Sequence, residues 1–127
     1  MTDGTKDNST ILVVEDEAPL RESLRWMLED EGWPVEAAAD GQEALDIAQR
    51  VRPALVVLDM VLPILNGDAV AAGLRRLYRD AVPILLITAD GRAAAKARRV
   101  GAFGYLTKPF DFDQLVSAVR RAMAGPK

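Results

Sequence analysis

The stretch that decides the fold is Leu55-Val56-Val57-Leu58-Asp59-Met60-Val61-Leu62-Pro63. Four apolar residues read as a buried strand, and the run then meets a single carboxylate. Taking a carboxylate out of water is costly unless something compensates. Asp59 therefore either closes a local turn or sits where its chemistry is needed.

Working outward, the chain repeats one pattern: a short apolar run, then a segment with apolar residues at helical spacing. Thr10–Val14 is a β-branched run, followed by Leu20, Leu24, Met27 and Leu28 at helical spacing up to Gly32. Val35–Ala39 is a weaker strand. Asp40 and Glu43, three apart, resemble a capping box opening a helix that carries Leu45, Ile47 and Ala48. After Asp59, Asn66-Gly67 opens a helix through Val70, Leu74 and Leu77. Val82–Thr88 is the fourth strand, and residues 91–100 form an Ala-rich helix with a thin apolar face. Residues 103–107 are a short fifth strand. Asp111 and Gln114 open a last helix carrying Leu115, Val119, Ala122 and Met123.

Five strand–helix units with continuous apolar strands imply a parallel sheet covered on both faces. Right-handed crossovers make it an open, doubly wound α/β sheet of flavodoxin-like topology. One domain is expected over 10–124, with a disordered polar tail at 1–9 and a polar end at 125–127.

Composition narrows the chemistry. The 127 residues include no cysteine and no histidine, which removes thiolate and imidazole catalysis and ligation. With 16 basic and 19 acidic residues, the net charge of −3 does not mark a nucleic-acid surface. No run reaches membrane-span length, and the polar start lacks the apolar stretch of a signal peptide. These features predict a cytoplasmic protein that makes no membrane or direct nucleic-acid contact.

In open α/β sheets, sites form beyond the carboxyl ends of the strands. Here those ends carry Glu15, Asp16 and Glu17 after strand one, Asp59 after strand three, Thr88 and Asp90 after strand four, and Thr107, Lys108 and Pro109 after strand five. Clustered acids repel unless a cation compensates. Oxygen ligands are what this chain offers, and they suit Mg²⁺. Asp16 and Asp59 can supply carboxylates to it. Lys108 and Thr88 can meet a phosphate, and an aspartate beside a metal is a competent phosphoryl nucleophile. For Glu15 and Asp16, favourable charge at a helix start is an alternative role.

Four motifs in order, ILVVEDE at 11–17, LVVLDMVLP at 55–63, ILLITA at 84–89 and GAFGYLTKPF at 101–110, resemble the receiver domain of two-component response regulators. The resemblance runs from Thr10 to about Met123. It implies that Asp59 accepts a phosphoryl group from a phosphohistidine on a histidine kinase or histidine phosphotransfer protein. It implies Mg²⁺ bound by Asp16, Asp59 and the Val61 backbone carbonyl, with Glu15 acting through water. Thr88 and Lys108 become the phosphate-binding pair, Thr88 and Tyr105 the switch residues, and Pro109 the second residue of a cis bond. The output surface would be helix four, strand five and helix five, acting on a downstream protein or effector domain.

Some residues fall outside those motifs. Trp26 lies off the buried stripe of the first helix, on a side shared with Pro19 and Ser23, and these three are candidate contacts for the phosphodonor. Arg92, Lys96, Arg98 and Arg99 make helix four basic, which fits either a solvated face or part of the output surface. Val61, two past Asp59, cannot position an attacking water, so slow self-dephosphorylation is expected. Three rival readings remain: an aspartyl-phosphate phosphatase, which normally carries an acid where Val61 stands; a flavin-binding module, which would want a phosphate loop instead of the acidic residues at 15–17; and a receiver belonging to a longer DNA-binding regulator.

Overall fold

The computed structural model describes residues 9–62, 64–89 and 91–124. Apart from Ser9, the expected tail lies outside these residues, as do Pro63, Asp90 and the end at 125–127. The elements alternate strictly: β1 Ile11–Val14, α1 Ala18–Asp30, β2 Val35–Ala38, α2 Gly41–Arg50, β3 Leu55–Asp59, α3 Gly67–Tyr78, β4 Ile84–Thr88, α4 Ala93–Val100, β5 Gly104–Thr107 and α5 Phe112–Ala124. All strand pairs are parallel, in the order β2-β1-β3-β4-β5. The fold is the doubly wound α/β sheet that the apolar runs predict.

Alternation along the strands divides the core in two. Leu12, Val14, Val56, Leu58, Ile84 and Leu86 pack toward α2, α3 and α4 with Ile47, Val70 and Leu74. Ile11, Val13, Leu55, Val57, Leu85 and Ile87 pack toward α1 and α5 with Leu24, Leu28, Leu115 and Val119. With both faces covered, the central strands tolerate no polar residue until their ends, and that is why Asp59 and Thr88 stand where they do.

Side-chain caps fix where helices begin. Asp40 Oδ1 accepts from the Glu43 N–H at 2.8 Å, and Glu43 reaches back to the Ala39 N–H at 2.8 Å. Asn66 Oδ1 accepts from the Ala69 N–H at 3.0 Å. Asp111 and Gln114 bond reciprocally at 2.7 and 2.9 Å, a complete capping box.

Several boundaries differ from the sequence reading. β4 starts at Ile84 instead of Val82, because Pro83 has no N–H for the ladder and contributes only its carbonyl, to the Val56 N–H. β1, β2 and β5 are each one residue shorter, starting at Ile11, ending at Ala38 and starting at Gly104, and α4 starts at Ala93. Leu77 is 40 % exposed and outside the core. The buried stripe of α3 runs Gly67, Val70, Ala71, Leu74 and on to Tyr78, which packs against the core and donates its hydroxyl to the Ala48 carbonyl.

Candidate functional site

The sheet order reverses at β1, whose neighbours are β2 and β3, so a crevice opens past the ends of β1 and β3. β1 delivers Glu15 and Asp16 into it. Arg21, one turn into α1, donates to the carbonyls of Glu15 at 2.9 Å and Asp16 at 3.3 Å. Glu15 Oε2 accepts from the Glu17 N–H at 3.1 Å. These bonds fix the β1–α1 turn and turn the Glu15 side chain inward, fully buried.

β3 delivers Asp59, only 4 % exposed. Its Oδ1 accepts from the Val61 N–H at 3.0 Å, and its Oδ2 accepts from Lys108 Nζ at 3.1 Å. The chain then loops over to α3, with Ile64 at a φ of 69°, uncommon for a β-branched residue. A backbone bond from the Gly67 N–H to the Met60 carbonyl, 3.1 Å, closes the loop.

From β5, the Lys108 N–H donates to the Thr88 carbonyl at 2.8 Å, and the Lys108–Pro109 bond is cis. Lys108 Nζ also stands 3.0 Å from Glu15 Oε1. Thr88 is buried at the end of β4, in register with Thr107. Tyr105 is half-exposed on the edge strand β5, in register with Leu86. Pro19, Ser23 and Trp26 form an outward strip on α1, with Trp26 67 % exposed.

Burial pushes the Glu15 carboxyl above its usual range. The Glu17 N–H and Lys108 pull it back in part, and the charge of Asp59 adds to the rise. Burial would lower the pKa of Lys108, but Glu15 and Asp59 outweigh it and hold the ammonium charged above its ordinary value. One cation thus serves two buried acids, and Asp16 is a third carboxylate beside them. Oxygens of Glu15, Asp16 and Asp59 lie within 4.8 Å of one another. Glu15 Oε1 is buried with no hydrogen-bond donor beyond the charge of Lys108. An all-oxygen set with surplus negative charge and an under-satisfied buried oxygen fits a hard divalent cation such as Mg²⁺.

Two features had no residue-type signal in the sequence. One is the bracing by Arg21 just described. The other is an apolar groove of about 390 Å³ beside the site, lined by Leu20, Met27, Ala89, Lys108, Pro109 and Phe110. The helical spacing of Leu20 and Met27 marked them only as core.

A family model, the response regulator receiver domain, matches residues 11–120. The chain belongs to this family, the receiver modules of two-component systems. It is 43 % identical over 112 residues to the response regulator MprA of Mycolicibacterium vanbaalenii, covering 87 % of this chain and 48 % of that protein. Against MprA of Mycobacterium leprae it is 40 % identical over 119 residues, covering 92 % and 52 %. The chain thus spans about half the length of these relatives. Among solved structures, the Vibrio cholerae chemotaxis protein CheY4 superposes with a TM-score of 0.83 at 32 % identity, covering 91 % of this chain and 98 % of that one. The Thermotoga maritima response regulator TrrA, solved in complex with Mg²⁺-BeF, gives 0.81 at 34 % identity, covering 90 % and 98 %. No helix among the described residues is long and apolar enough to cross a membrane.

Proposed function

We propose that this chain is a phosphorylation-dependent switch. Asp59 takes a phosphoryl group from a phosphohistidine of a histidine kinase or phosphotransfer protein, and the α4–β5–α5 surface then changes to regulate a partner or effector domain in the cytoplasm. The observation that carries this is the near-buried Asp59 carboxylate, held by Lys108 at 3.1 Å with Glu15 and Asp16 at its side.

An oxygen of Asp59 attacks phosphorus as the phosphorus–nitrogen bond breaks, and the imidazole leaves with the electron pair. Lys108 faces the charge spread over the phosphoryl oxygens, already charged and already placed. The Val61 N–H holds the carboxylate in one rotamer. Bound Mg²⁺, held by Asp16, Asp59 and the Val61 carbonyl with Glu15 through water, would supply the positive charge that lets two anions meet. Thr88 would donate its hydroxyl to the new oxygens, and Tyr105, half-exposed beside it on the edge strand, would turn inward. The groove at Leu20, Met27 and Phe110 and the strip at Pro19, Ser23 and Trp26 suit the phosphodonor's docking face. Val61 offers no acid for leaving-group protonation and no polar group for water, which favours a slowly reversing switch over a phosphatase.

The test is incubation with acetyl phosphate and Mg²⁺, read by intact mass. The chain gains one phosphoryl group and Asp59→Asn gains none. An unmodified wild type overturns the reading.

A further inference from the structure

Helix α4 packs through a thin apolar face and is tied to α3 by side-chain arms. It is eight residues long and buries only Ala93 and Ala97, and the side chain of its N-cap residue, Arg92, makes no capping bond. Two guanidinium groups join it to α3. Arg75, on α3, donates through Nη2 to the carbonyls of Val100 at 3.0 Å and Gly101 at 2.8 Å, the C-terminal end of α4, and through Nη1 to the Val82 carbonyl at 3.3 Å. Arg99, on α4, grips Asp68 in the first turn of α3 with two parallel bonds, Nε to Oδ1 at 3.1 Å and Nη2 to Oδ2 at 3.0 Å. Between the helices lies a groove of about 210 Å³, lined by Asp68, Ala71, Ala72, Arg75, Arg99 and Val100. Small alanines and open space under a fork-to-fork ion pair leave α4 room to shift.

Asp68 is also tied to the phosphoacceptor loop. It follows Gly67, whose N–H bonds the Met60 carbonyl and whose missing side chain lets α3 sit against Met60, next to Asp59. Asp68 therefore travels with the loop that carries Asp59, while Arg99 travels with α4. Displacement of α4 relative to α3 breaks the parallel geometry, because a two-point carboxylate–guanidinium contact has one good arrangement.

We infer that the Asp68–Arg99 pair is a latch that holds α4 in its resting position and opposes the phosphorylated arrangement. This rests on the switch reading above and names its restraint. A contact present in one state only biases the equilibrium by its own worth. Both side chains are about half-exposed, so the bias is modest.

The test measures binding of beryllofluoride with Mg²⁺, a phosphoryl mimic, and hydrogen exchange of the α4 amides in the unliganded chain. Asp68→Asn and Arg99→Gln each bind the mimic about threefold tighter than wild type and exchange faster in α4. The double variant Asp68→Arg/Arg99→Asp, which reverses the pair, returns both readouts toward wild type. Unchanged or weaker binding by the single variants, or tightening that the reversed pair does not undo, overturns the latch. A wild type that does not bind the mimic overturns the phosphoacceptor reading itself, a separate result.

Discussion

Lys108 reaches from the end of β5 past β4 to place its ammonium 3.1 Å from Asp59 Oδ2 and 3.0 Å from Glu15 Oε1. Removing it leaves two buried carboxylates facing each other. Lys108→Met therefore loses about 3–5 kcal/mol of stability at pH 7 in metal-free buffer. The deficit shrinks as pH falls, because Glu15, its pKa already raised by burial, takes up a proton. On the alkaline side the sign is opposite. A lysine whose folded pKa exceeds the unfolded value contributes stability below the unfolded value and loses it as pH rises through the folded one. Wild type weakens above its ordinary pKa of 10.5, and Lys108→Met lacks that loss. Urea unfolding from pH 5 to 11 reads both limbs.

Gly67 is required by contact. A Cβ there would lie 2.5 Å from Met60 Sδ and 2.8 Å from Met60 Cα. The sulfur can swing aside, but the backbone cannot, so α3 must back away from the end of β3. Gly67→Ala costs about 1–3 kcal/mol by chemical denaturation, and it slows phosphorylation of Asp59 by acetyl phosphate as the loop shifts.

Val61 places an apolar, exposed side chain two residues past Asp59 while its N–H bonds the carboxylate. Val61→Asn keeps the backbone bond and adds an amide able to orient water. Loss of the phosphoryl group becomes severalfold faster, followed by intact mass after the donor is removed. An unchanged lifetime would count against water positioning at this residue.

Trp26 is largely solvent-exposed. Trp26→Ala leaves the unfolding free energy within about 0.5 kcal/mol of wild type and leaves phosphorylation by acetyl phosphate unchanged. On the proposed docking face, transfer from the phosphodonor protein falls, because that reaction alone would use the α1 surface. Equal rates from the protein donor would remove Trp26 from the docking face.

Much of this was legible in the residues. Continuous apolar runs announced strands covered on both faces, and their carboxyl ends collected Glu15, Asp16, Asp59, Thr88 and Lys108. Capping side chains at Asp40, Asn66 and Asp111 set helix starts because their signal is local. What stayed hidden is what depends on reach. Arg21 bonds backbone carbonyls, which every residue has, so no residue pair betrays it. Asp68 and Arg99 join two helices from positions 31 apart in the chain and read in sequence as two solvated charges. Leu77 misled because the stripe of α3 continues to Tyr78, and spacing alone gives both residues a claim to the core.

The brace that Arg21 puts on the β1–α1 turn has a kinetic consequence. Because the carbonyls of Glu15 and Asp16 are already tethered, an incoming ion or phosphodonor does not have to order that turn, and little entropy is lost there on binding. Of the parts of the proposed site, this turn should then contribute little to the time the switch takes to respond.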